Sequence, residues 1–284
     1  MKSRFPVLQL ILITAALACA TSTRGVAPAV STASVEVPRA DSTLAHETFT
    51  IQSVAVGEAR KINVYTPPQY RGSSRKFPVL YMPDGGLDED FPHVIRTVDS
   101  LIALGAIRPV IVVGIPNTQR RRDLTGPTRV KSDSAIAPRV GGSAEFRRFI
   151  SDELIPEIDR RYQTTSERGI IGESLAGLFI IETFLEKPDM FTHYIALDPS
   201  VWWNSGALID SSASLIASFD TKPRTLYLST SKEPSTAVGI AHLDSLLHSA
   251  APRGLRWTYE PRVDLEHSTI FRAVKPKALV DAFH

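Results

Sequence analysis

Two periodicities alternate along this chain: short apolar runs suited to buried strands, and longer stretches whose apolar side chains return every three or four positions. His46 to Val56 and Arg60 to Thr66 gather β-forming residues around Gly57-Glu58, which predicts an antiparallel hairpin closed by Pro67-Pro68. Phe77 to Met82 predicts a buried strand, Pro83-Asp84-Gly85-Gly86 a turn, and Glu89 to Leu104 a helix. Pro109 to Ile115 is the most continuous aliphatic run and is expected at the centre of the sheet. Asn117 to Gly142 has no sustained period and is expected to form a wall or lid. Ser143 fits an N-cap, because Phe146, Phe149, Ile150, Leu154, Ile158 and Tyr162 then share one face of a helix that Pro156 would kink.

The second half repeats the alternation. Strands are predicted at Arg168 to Gly172, His193 to Leu197, Leu226 to Thr230 and Leu255 to Glu260, with helices at Leu175 to Glu186 and Thr236 to Ala250 and a last helix after His267. Strand and helix in turn imply an α/β fold, with a largely parallel sheet covered on both faces.

Composition narrows the function. With 284 residues the chain can bury one substantial core, and 32 basic against 30 acidic residues leave a net charge of +2. That balance gives no footprint for nucleic acid, and the dense cluster Arg120-Arg121-Arg122 reads as a solvated loop. The single cysteine excludes an internal disulfide framework and a cysteine-based zinc site. Met1-Lys2-Ser3-Arg4, the apolar run Phe5 to Leu17 and the small residues after it read as a secretory signal over residues 1–20. Ala16-Leu17-Ala18-Cys19 resembles a lipoprotein box that would anchor Cys19 to a membrane, with ordinary cleavage after Ala18 or Ala20 as the alternative. Residues 21–44 read as a flexible linker and residues 45–284 as the folded domain.

Chemistry is concentrated in Gly172-Glu173-Ser174-Leu175-Ala176-Gly177, where a serine stands between an apolar run and a helix with small residues on both sides. Such a turn presents a serine nucleophile at a strained strand-to-helix corner, although Ala176 stands where glycine is usual. The helix N-terminus would place N–H groups beside a developing oxyanion. A base must then follow an acid in the order serine, acid, histidine. His267, after the last strand, obeys that order; Glu233, after the strand ending at Thr230, occupies the usual station of the acid, with Asp198, Asp264 and Glu266 as competitors.

Several separated stretches resemble the esterase family of the α/β-hydrolase superfamily that includes enterochelin and salmochelin esterases, feruloyl esterases and esterase D. They are Val79 to Gly86, Arg122-Asp123-Leu124-Thr125, Ile171 to Phe179, Asp198-Pro199-Ser200-Val201-Trp202-Trp203 and Glu266-His267-Ser268. The resemblance implies an α/β-hydrolase fold, Ser174 as nucleophile, His267 as base, Glu233 as acid, and the N–H groups of Leu175 and Gly86 as oxyanion hole. Arg122, Asp123, Trp202 and Trp203 become candidates for contacting a small-molecule ester. No metal or organic cofactor is required. The expected activity is hydrolysis of a siderophore, feruloyl or related ester; acyl transfer and a non-catalytic binding role are the alternatives.

Overall fold

The computed structural model describes residues 44–284; the signal segment, Cys19 and nearly all of the linker lie outside the described residues. The first strands, β1 (Glu47–Ser53) and β2 (Glu58–Tyr65), form the expected antiparallel hairpin. Then come β3 (Phe77–Pro83), helix α1 (Phe91–Ala103) and β4 (Ile111–Ile115). The stretch expected as a wall or lid carries two short helices, α2 (Arg120–Asp123) and α3 (Lys131–Ser134). It leads into α4 (Ser143–Arg148), which continues through a π turn at Phe149–Leu154 into α5 (Ile155–Arg161). Pro156 has no N–H to donate to the preceding turn, and a local widening of the helix accommodates it instead of a sharp kink. Ser143 does not cap this helix; its Oγ donates to Glu182 Oε1 at 2.8 Å.

The remaining elements are β5 (Thr164–Glu173), α6 (Leu175–Glu186), β6 (His193–Leu197), α7 (Ala207–Ile216), β7 (Arg224–Thr230), α8 (Pro234–Ala250), β8 (Leu255–Pro261) and α9 (His267–Phe283). They build an eight-stranded sheet in the order β1-β2-β4-β3-β5-β6-β7-β8, parallel from β4 through β8. This is the α/β-hydrolase fold with an N-terminal antiparallel hairpin. The middle of the sheet is β3 and β5, not the 109–115 run, because the hairpin adds β2 beyond β4. Alternate residues of the central strands feed two cores. Val79, Tyr81, Val113 and Ile170 face α4 to α8, whereas Leu80, Met82, Val112 and Ile171 face α1 and α9.

One buried polar network fastens the hairpin to the 117–142 segment. Arg60 on β2 is fully buried; it donates to Asp123 Oδ2 at 2.6 Å and to the Pro116 carbonyl at 3.0 Å, and its guanidinium lies 5.1 Å from the Phe146 ring centre. Arg122 donates to Asp123 Oδ1 at 2.6 Å and to Glu58 Oε1 at 2.7 Å. The structure therefore corrects the expectation that Arg122 and Asp123 contact substrate: Asp123 is 0% exposed and both of its oxygens are taken by arginine. The solvated-loop reading fails for the same reason, since Arg122 is held inward and Arg120 is paired with Asp84. Removing Asp123 leaves the buried Arg60 and the half-buried Arg122 to share one carboxylate, Glu58, at 3.1 and 2.7 Å, so Asp123→Ala is expected to lower unfolding stability in urea by about 3–5 kcal/mol. A substrate-contact role would instead raise KM and leave the urea midpoint where it is.

Candidate active site

Three acidic or nucleophilic positions at the carboxyl ends of β3, β5 and β6 have backbone angles that non-glycine residues seldom adopt: Asp84 (φ 54°), Ser174 (φ 59°) and Asp198 (φ 45°). Ser174 turns the chain from β5 into α6 with ψ −121°. The turn closes because Gly172 lacks a side chain; a Cβ there would come within 2.6 Å of the Ala176 Cβ. A Cβ on Gly177 would lie 2.9 Å from the Pro199 Cα. Ala176 is an ordinary helical residue with negative φ, so its methyl group is tolerated, and the departure from glycine at that position is explained.

The turn is tied to the neighbouring strand. Ser174 N–H donates to the Leu197 carbonyl at 3.1 Å, the Ser174 carbonyl accepts Ser200 N–H at 3.0 Å, and the two serine Oγ atoms are 3.3 Å apart. Asp198, the residue after Leu197, thereby lies next to the Ser174 turn. Its side chain is fully buried, and it accepts Ser231 N–H at 2.8 Å, Ser231 Oγ–H at 2.6 Å and His267 Nδ1–H at 2.6 Å. Burial acts to raise the Asp198 carboxyl, but the hydrogen bonds from His267 and Ser231 outweigh it and hold the group below its ordinary value. The carboxylate fixes the proton on His267 Nδ1 and leaves Nε2 as an acceptor. That hydrogen bond also raises the His267 imidazole above its ordinary 6.5, against the opposing effect of burial; the charges of Glu173, Asp198 and Glu233 add to the rise.

The acid expected at Glu233 is thus corrected by geometry: His267 is paired with Asp198. Glu233 is exposed at the N-cap of α8. The turn after β7 contributes donors instead of a carboxylate, because Ser231 points both its N–H and its hydroxyl at Asp198. Asp264 is occupied by Arg262 at 2.9 and 2.7 Å, and Glu266 caps α9 through a reciprocal capping box with Thr269. That cap places His267 at the first position of α9, within a helix terminus and not in a loop.

Of the two N–H groups expected to form an oxyanion hole, Leu175 opens α6 and has no acceptor within its own helix. Gly86 differs: its N–H donates to Glu89 Oε2 at 2.7 Å, while Glu89 Oε1 accepts Asn117 Nδ2–H at 2.8 Å. Glu89 therefore ends its turn by folding back on Gly86, and α1 begins only at Phe91. Asn117 also donates to Asp84 Oδ1 at 2.5 Å, and Arg120 grips both Asp84 oxygens at 2.7 and 2.8 Å. The two tryptophans separate. Trp203 is buried, donates Nε1–H to the Gly126 carbonyl at 2.8 Å, and walls a cavity of about 200 Å³ with Leu178 and Leu208. Trp202 is 42% exposed and free to meet a ligand.

Sequence reasoning missed Ser200, Ser231, Glu89 and Arg60. Asp198-Pro199-Ser200 was a visible signal at a strand end, but nothing in the spacing of Ser231 tells that it faces Asp198 across the sheet.

Residues 53–243 match the model of a family described as Putative esterase. Ferri-bacillibactin esterase BesA of Bacillus subtilis is 35% identical over 153 residues, which cover 49% of this chain and 52% of that protein. The siderophore triacetylfusarinine C esterase of Aspergillus fumigatus is 30% identical over 152 residues, 49% of this chain and 49% of that protein. The chain spans about half the length of these curated relatives. Among solved structures, an IroE-like serine hydrolase from Shewanella oneidensis has a TM-score of 0.74 at 25% identity, over 84% of this chain and 78% of that one.

Proposed function

Because this chain belongs to the Putative esterase family, we propose that it hydrolyses a carboxylic ester through an acyl-enzyme on Ser174. His267 Nε2 takes the Ser174 hydroxyl proton as Oγ attacks the ester carbonyl. The imidazolium then passes that proton to the departing alcohol, and the same histidine activates the water that releases the acid. Asp198 keeps the required tautomer and stabilises the imidazolium without becoming protonated. The Leu175 N–H, at the positive end of α6, faces the charge that grows on the carbonyl oxygen. The Gly86 N–H joins it once Glu89 yields that donor. The observation that carries this reading is the 2.6 Å hydrogen bond between His267 Nδ1 and Asp198 Oδ2 beside the strained Ser174 turn.

The substrate class we favour is the siderophore or feruloyl type of ester. Support for the siderophore type comes from the names of the similar proteins, and the exposed Trp202 ring suits the aromatic or catecholic group that either type can carry. Steady-state hydrolysis of a catecholate siderophore ester, a feruloyl ester and a short acyl ester, each with acid release measured, is the test. Release of acid from none of the three, with Ser174→Ala as the control, would count against hydrolysis. We also propose that the enzyme is exported, whether periplasmic, secreted or lipid-anchored to the envelope, on residues 1–20 alone. If Cys19 is lipidated, the wild-type chain partitions into a detergent phase and Cys19→Ser does not.

A further inference from the structure

Three carboxylates stand at the ends of three adjacent parallel strands: Asp84 after β3, Glu173 as the last residue of β5, and Asp198 after β6. Two of them are satisfied. Asp84 accepts two hydrogen bonds from Arg120 and one from Asn117, and Asp198 accepts two from Ser231 and one from His267. Glu173, between them and adjacent to the nucleophile in sequence, has its Oε1 buried with no hydrogen-bond partner. A buried, bare carboxyl oxygen is costly to keep and calls for an explanation.

The surroundings of Glu173 supply one. Glu173 is paired in the sheet with Leu197, the residue before Asp198, which holds His267; the charges that act on it are those of His267 at the start of α9, Asp90 before α1, Asp198 after β6 and Asp84 after β3. Asp84 is neutralised by Arg120, and Asp198 is already committed to His267 and Ser231. The one neighbour among these that can become a cation is His267: in the resting enzyme it does so at low pH, and above that range it does so when it takes the Ser174 proton. At a pH above the acidic limb the resting imidazole is neutral, so a partner for its cation favours the transition state over the resting enzyme.

We propose that Glu173 is a positioning residue for the reaction, a second carboxylate that stabilises the His267 imidazolium without the hydrogen bond that Asp198 makes. The inference rests on the Ser174–His267 reading given above and adds a role for a residue which that mechanism does not use. No bond to Glu173 forms or breaks: the proton travels from Ser174 Oγ to His267 Nε2 and on to the leaving alcohol, and the Glu173 carboxylate remains as counter-charge. Burial raises the Glu173 carboxyl to about 7, with the negative charges of Asp90, Asp198 and Asp84 adding to the effect and His267 opposing it. Its ionisation and that of His267 therefore overlap and belong to the pair.

The sign of the stability effect follows. A carboxyl whose folded value lies above its ordinary 4.5 binds protons more tightly in the native state, so its contribution is most favourable at low pH and is lost as pH rises from about 4.5 to about 7. The isosteric amide removes that loss. Glu173→Gln is expected to melt higher than the parent at pH 8 and no higher at pH 4.5, a residue that the fold would be better without.

The decisive experiment reads the pH profile of kcat/KM together with kcat. In Glu173→Gln the acidic limb should move down by about one pH unit and the plateau kcat should fall about tenfold, since one unit of imidazolium stabilisation is one factor of ten. Glu173→Asp, which keeps the charge, should retain most of both. A Glu173→Gln limb at the parent position, or a Glu173→Asp limb displaced as far as that of the amide, would overturn the proposal. An NMR titration of His267 in the Ser174→Ala background tests the charge interaction without turnover. There, adding Glu173→Gln should lower the His267 midpoint by the same one unit; an unchanged midpoint defeats this inference alone, whereas an active Ser174→Ala enzyme defeats the reading beneath it.

Discussion

Ser174→Ala should abolish ester turnover to within the residual rate left by binding and the oxyanion donors, a loss of at least about 10⁴ in kcat and nearer 10⁶ if the site behaves as subtilisin does. The size of the effect follows from the chemistry: without Oγ there is no acyl-enzyme, and a water molecule must attack unaided. Structure gives no reason for collateral damage. Among the described residues Ser174 Oγ hydrogen-bonds only with Ser200 Oγ, and the backbone hydrogen bonds to Leu197 and Ser200 persist in alanine. The backbone at φ 59° disfavours alanine as it does serine, so the melting temperature should stay near that of the parent. Activity within about tenfold of the parent, with a folded variant, would end the serine mechanism.

Asp198→Asn should cost about 10⁴ in kcat, the magnitude seen where the acid of a serine triad is converted to its amide. The hydrogen-bond geometry explains why the amide cannot substitute. Oδ1 accepts Ser231 N–H, and Oδ2 accepts both Ser231 Oγ–H and His267 Nδ1–H. An amide nitrogen at the Oδ1 position would face a backbone donor. At the Oδ2 position it would face His267 and force the proton onto Nε2, which removes the base from Ser174. Glu233→Gln, in contrast, should stay within about threefold of the parent, because the exposed Glu233 side chain makes no hydrogen bond to His267. If the amide at position 233 were the damaging one and that at 198 harmless, the pairing described here would be wrong.

How much of this was legible in the chain depends on whether the relevant contact is local or spans the sheet. The hairpin, the parallel strands and the serine turn are local patterns: the period of the side chains and the small residues around Ser174 dictate them. His267 was legible from chain order alone. The acid was not, because the choice between Asp198 and Glu233 is a choice between adjacent strand ends, and it turns on where Ser231 aims its two donors. Charge misled for a similar reason. Arg120 and Arg122 look like a solvated cluster in sequence, yet Asp84, Glu58 and Asp123, distant or hidden in the pattern, draw them inward. The wall segment showed no period since its order comes from such ion pairs and from the Trp203 hydrogen bond to Gly126, not from an apolar face. Helix α7 went unseen because its segment, Ala207–Ile216, is rich in serine and short.

The central claim, that Ser174 is a nucleophile activated by a histidine that Asp198 orients, is tested most directly by the rate and site of labelling with a fluorophosphonate. Intact-mass measurement followed by peptide mapping should give a stoichiometric adduct on the peptide that contains Ser174, formed far more slowly in Asp198→Asn, at the parental rate in Glu233→Gln, and not at all in Ser174→Ala. An unlabelled parent enzyme, or an adduct that persists in Ser174→Ala, would contradict it.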